Sequence, residues 1–200
     1  MITCSNHAKS CYDRIAHSIA SLALQIAGMP RAPIFSMLQN IQGEENYIRT
    51  AFGDSSITIN GRYYDNPYQG MLQGNGSGPV TWVLNNAPMV DVHRKKGIGV
   101  EFTTSISKIA VQIIGFMFVD DTNLVEGILR STKENFEEVA ERMQNSINCW
   151  ECSLKATGGA MRPYKSFVYH INFILKNSGE CYYDKVDSMD VSLSVKNEFE

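Results

Sequence analysis

The sequence predicts an α+β fold, an antiparallel sheet with helices packed on one face. Two segments, Ser10 to Ala27 and Thr132 to Cys152, carry apolar residues at helical spacing. A β-branched and aromatic stretch, Val111 to Val119, runs into Asp120-Asp121 and resumes from Asn123 to Val125. That is the pattern of a hairpin with two aspartates at its tip. The order of elements is helix, strands, helix, hairpin, helix, strands, which suits an antiparallel sheet covered on one side.

The first helix is expected to bury Ile15, Ile19, Leu22 and Ile26, and Gly28 with Pro30 supplies its stop. A shorter helix is expected from Ala32 to Ile41. Strands follow at Tyr47 to Phe52 and Ser56 to Asn60, with Gly53-Asp54 as the turn between them. A glycine-rich stretch from Gly70 to Gly78 leads to Pro79, which is suited to the first turn of a helix. That helix is expected to bend at Pro88, where an amide donor is missing, and to close at Gly97 after Arg94, Lys95 and Lys96. In the second long helix, Ser131 and Glu134 have capping-box spacing. Its buried stripe reads Phe136, Val139, Ala140, Met143, Ile147 and Trp150. Strands near Phe167 to Leu175 and Cys181 to Tyr183 complete the pattern.

Composition excludes several classes. With 44% hydrophobic and 20% charged residues among 200, the chain can bury a core and is not of the disordered type. A net charge of −3 argues against a simple electrostatic nucleic-acid binder, which needs a basic excess for its phosphate contacts. Five cysteines without a secretory signal point to free thiols in a reducing, intracellular compartment, nucleus or cytoplasm. Cys149 and Cys152 form a CxxC, yet Cys4, Cys11 and Cys181 supply no second pair at zinc-ligand spacing. The apolar run from Ile109 to Val119 contains Gln112 and is well short of the about 20 residues of a spanning helix, so no membrane is expected as partner.

The sharpest chemistry is the Asp120-Asp121 pair. Adjacent carboxylates on a tight turn make a hard-oxygen site suited to Mg²⁺, because like charges need a compensating cation or hydrogen bonds. A solvated turn of two aspartates is the plainer alternative. In Gly70-Met71-Leu72-Gln73-Gly74 the glycines permit close backbone approach, and Gln73 offers both a donor and an acceptor. The helix N-terminus beyond favours an anion. A glycine-rich loop with no ligand is again the plainer reading.

Taken together, these segments resemble the reverse transcriptase family. Phe118-Val119-Asp120-Asp121 is similar to its motif C, and Gly70-Met71-Leu72-Gln73-Gly74 with Pro79 to its motif B. Lys9 to Ile15, with Tyr12 and Asp13, resembles the tail of motif A, and Pro163-Tyr164-Lys165-Ser166 resembles motif D. The four stand in family order and cover most of the chain. The resemblance implies a right-hand polymerase palm of a retroelement, closer to non-long-terminal-repeat or intron-type enzymes. It implies RNA-directed DNA polymerisation on an RNA or DNA template-primer with dNTPs, using two Mg²⁺ ions about 4 Å apart. By the same resemblance Asp120 and Asp121 hold the metals, Lys165 serves the triphosphate, and Tyr12, Gln73 and Gly74 bind the nucleotide.

The family places a third carboxylate six residues before Asp13, and His7 stands there. Imidazole supplies neither the charge nor the oxygen pair that bridges two cations. The copy is therefore expected to be inactive. Residues 1–166 are expected to be a palm carrying motifs A to D, truncated at the N-terminus and lacking fingers. Residues 167–200 are expected to hold primer-grip strands and a partial tail without the thumb. A noncatalytic binding or scaffold module that retains the palm fold is the alternative, and a different two-metal nucleotidyl-transfer enzyme is a third reading.

Overall fold

The computed structural model describes residues 1–61, 67–72, 74–127, 135–184 and 192–196. In chain order the elements are β1 (Ile2–His7), α1 (His17–Ile26), α2 (Arg31–Gly43), β2 (Arg49–Thr50), β3 (Gly53–Asp54) and α3 (Gly78–Lys95). Then come β4 (Val100–Thr103), β5 (Ala110–Ile113), β6 (Gly115–Phe118), β7 (Asp121–Glu126), α4 (Phe136–Ala156), β8 (Phe167–His170), β9 (Asn172–Leu175) and β10 (Cys181–Asp184). Short 3-10 turns cover Tyr12–Arg14 and Pro163–Lys165. Helices combine with sheets in which every described strand pair is antiparallel, an α+β fold. Among the described residues no helix is long and apolar enough to cross a membrane. The chain forms two compact units, one of Met1–Lys9 with Ala87–Glu200 and one of Ser10–Asn86.

In the first unit the main sheet has strand order β6-β7-β1-β8. β1 alternates: Ile2, Cys4 and Asn6 are buried, while Thr3, Ser5 and His7 are half-exposed. α4 packs against β1 and β7 and buries Val139, Ala140, Met143, Ile147, Trp150 and Leu154. Most of the expected stripe is thus in the core, and one more turn is added to it. Asn135 caps this helix. Its side chain accepts from the Glu138 N–H at 2.9 Å, while the Glu138 carboxylate accepts from the Asn135 N–H at 2.8 Å. Ser131 and Glu134, the pair expected to do this, lie outside the described residues.

The apolar stretch read as one strand is two. β5 pairs with β4 and β6 pairs with β7, so the chain changes partner at the buried Ile114. The terminal strand is likewise divided, β8 on β1 and β9 on β10. Local pattern shows that such residues are extended, but partner choice is decided by sheet packing. α1, α3 and α4 all end alike: Gly28, Gly97 and Gly158 take positive φ, and the following amide reaches back to Leu24, His93 and Leu154 respectively.

His93, on α3, is fully buried beside the edge of Trp150, with Nδ1 3.0 Å from the Met89 carbonyl and Nε2 3.3 Å from the Ser146 carbonyl. A neutral imidazole has one N–H and can donate to only one of them. Burial lowers its pKa, the positive charge of Lys96 adds to that, and the two carbonyls oppose it. Because the folded value lies below the unfolded one, this group's contribution is fully present above about pH 6.5 and is lost as pH falls through the folded value.

In the second unit α1 packs against α2. Half of the stripe expected for a single Ser10 to Ala27 helix is lost: Ile15 is buried and Ile19 half-buried, but Leu22 and Ile26 are exposed, and Ala20, Ala23 and Leu24 are buried. The chain leaves its 3-10 turn at Ile15 in extended conformation, which resets the helical phase before α1 begins. The expected Gly53-Asp54 turn is also corrected. Those residues form β3, paired Thr50 to Gly53 and Arg49 to Asp54 around an Ala51-Phe52 turn. The Arg49 guanidinium grips both Asp54 oxygens, at 2.7 and 3.0 Å, and pins this register.

The glycine-rich loop is fastened to the 3-10 turn. The Gly70 N–H donates to the Ile15 carbonyl and the Met71 N–H to the Tyr12 carbonyl, both at 2.8 Å. His17 links the loop to α2: its Nε2 meets the Gly70 carbonyl at 2.6 Å, and its Nδ1 meets the Gln42 amide nitrogen at 2.9 Å. Gln42 in turn accepts from the Tyr68 N–H and donates to the Tyr68 carbonyl. Gly70 has φ +85, and a Cβ there would collide with the backbone of Asp13.

Two outcomes follow. Denaturant midpoints should be level above pH 6.5 and fall below it, with a smaller slope in His93→Phe; equal slopes in the two proteins would assign the loss to other groups. Gly74→Ala should cost about 1–2 kcal/mol through its positive φ alone, since no atom lies within 4 Å of the added carbon. Gly70→Ala should cost more in the same unfolding experiment, because it adds the collision with Asp13.

Candidate functional site

The alternation of β1 places His7 on the sheet face opposite the one that buries Ile2, Cys4 and Asn6. His7 pairs with Asp121 at the first position of β7. Because Phe118 also pairs with Asp121, only Val119 and Asp120 remain to make the turn between β6 and β7. Val119 sits at φ 55, which is strained for a β-branched residue and is the cost of so tight a connection. The backbone is fixed around the turn. The Ala8 N–H donates to the Asp120 carbonyl at 2.8 Å, and the Arg162 N–H donates to the His7 carbonyl at 2.9 Å.

These constraints bring His7, Asp120 and Asp121 together. Nε2 of His7 is 3.0 Å from Asp120 Oδ2, and Nδ1 is 2.9 Å from Asp121 Oδ1. The ring therefore spans the two carboxylates and can donate to both only as the imidazolium. The three side chains are 20%, 31% and 54% exposed, so the site is open to water and to ions. One ligand atom from each lies within 4.8 Å of the others.

Lys165 is exposed at the end of the 3-10 turn Pro163–Lys165. That turn adjoins β1 through the Arg162 to His7 hydrogen bond and the bridge between Ala8 and Met161. Tyr12 and Gly74 belong to the second unit. There Tyr12 is half-buried, with its ring over Gly78, and Gly74 is exposed at φ +94. Gln73 lies outside the described residues. Sequence reasoning missed the His17–Gln42 link that holds the glycine loop. Its only sequence signal is a polar residue at the start of α1 and another near the end of α2, too common a pattern to single out.

No protein-family model matches the chain, and no curated protein matches it. Among solved structures it is similar to an apo telomerase from Candida tropicalis truncated from the C-terminal domain, with a TM-score of 0.42 and 14% identity. That match covers 92% of this chain and 35% of the telomerase chain.

Proposed function

We propose that this chain is the palm of a retroelement reverse transcriptase, a fold for RNA-directed nucleotidyl transfer in which His7 has silenced polymerisation. The supporting observation is the meeting of His7 with Asp120 and Asp121 at adjacent strand ends, at 3.0 and 2.9 Å. The motif resemblance calls for a third carboxylate at that place. On this reading residues 1–166 are the palm, and the β9–β10 hairpin lies in the primer-grip segment 167–200. The partners are then a template-primer and dNTPs.

The donor set does not fit two Mg²⁺ ions. Two carboxylates carry two negative charges against four positive ones, and the third ligand is a nitrogen that magnesium disfavours. The second reading, a noncatalytic module keeping the fold, is favoured by the way His7 itself bridges both carboxylates.

Primer extension on an RNA template, with fingers and thumb of an active reverse transcriptase supplied on the same polypeptide, tests the reading. The His7→Asp protein should exceed the histidine protein by about 10³- to 10⁴-fold, the rate equivalent of about 5 kcal/mol. Equal extension by the two would show that position 7 is not the motif A position. No extension by His7→Asp, in a graft that works with the donor's own palm, would favour the noncatalytic module.

A further inference from the structure

We propose that Cys149 and Cys152, one turn apart on α4, bind a single soft monovalent metal ion of the Cu⁺ class in linear two-sulfur coordination. The inference rests on the first unit alone and does not depend on the polymerase reading. Residues three apart on a helix share a face, and both cysteines line one hollow of about 590 Å³ formed by α4 and the end of α3. Both are free thiols, Cys149 buried at 8% exposure and Cys152 exposed. An ion can therefore enter at Cys152 and reach a second sulfur that is shielded from bulk water.

Spacing decides between a metal and a disulfide. Cβ atoms one helical turn apart are about 5–6 Å from each other, whereas a disulfide needs about 3.5–4.5 Å. α4 runs on past the pair to Ala156, so closing a sulfur–sulfur bond would distort the helix. Two metal–sulfur bonds of about 2.3 Å, the zinc–thiolate length, span about 4.6 Å in a line and leave the helix as it is. Ligand count then decides which metal. Zinc needs four ligands, and among the described residues no third His, Cys, Asp or Glu atom joins this pair at ligand spacing. His93 Nδ1 is 3.9 Å from Cys149 Sγ, but the same nitrogen faces the Met89 carbonyl at 3.0 Å. A pair of soft thiolates selects Cu⁺, for which two ligands are enough. Charge agrees with this choice. Both thiols give up their protons to solvent as the bonds form, and two thiolates on one monovalent ion leave one net negative charge. Lys96, on the wall of the same hollow, supplies the opposite charge.

The full chain, reduced and free of oxygen, is titrated with Cu⁺ against a coloured copper(I) chelator, with the exposed Cys181 replaced by serine in every protein. One ion should bind per chain, and X-ray absorption should show two sulfur neighbours around it. Cys149→Ser and Cys152→Ser should each weaken binding at least about 100-fold, the gain that a second tethered ligand brings. Excess Zn²⁺ should leave the Cu⁺ in place. Because Cys152 is exposed, its serine variant should keep the fold, which circular dichroism checks. Cu⁺ binding unchanged by Cys152→Ser, displacement by Zn²⁺, or no binding by a folded chain would each overturn the site.

Discussion

Because side chains alternate along a strand, the register of β1 against β7 decides which residues of the two strands meet. A slip by one residue would turn His7 toward the face buried by α4 and bring Asn6 to the open face. The register is held from several directions. α4 needs Ile2, Cys4 and Leu124 beneath it, β8 pairs along the other edge of β1, and the Met1 carbonyl accepts from the Ile171 N–H at the strand's start. The site at the strand end is thus set by apolar burial under the opposite face.

Electrostatics then decides what the site can do. Two adjacent carboxylates at a strained turn repel unless something positive or hydrogen-bonding lies between them. In this chain His7 supplies that bridge, and a soft-edged nitrogen enters a set that would otherwise be all oxygen. Elsewhere in the unit a buried carboxylate is paired: Glu126 is 1% exposed, accepts from the Gly99 N–H at 3.2 Å and faces Arg142 at 3.4 Å.

The second unit shows a different economy, in which polar side chains hold an irregular loop to two helices. His17 and Gln42 satisfy backbone groups at Gly70 and Tyr68 that no regular ladder serves. Gly70 is needed there for its positive φ and for the space beside Asp13, a structural demand that exists with or without a nucleotide.

The α+β class, the existence of α2, α3 and α4, the glycine stops at Gly28 and Gly97, and the tight turn at Asp120 are all legible in the residues, because they depend on periodicity and local backbone preference. The sequence located His7 as a departure from the motif pattern without showing what the imidazole touches. Packing was needed to show that the Val111 to Val119 stretch divides between two sheets, that α1 buries alanines and Leu24, and that Asn135 caps α4. The pairing of His7 with both aspartates was also beyond reach of the sequence. It joins residues more than a hundred positions apart, 114 in the case of Asp121, and contacts at that range follow from sheet register and burial, which no local pattern encodes.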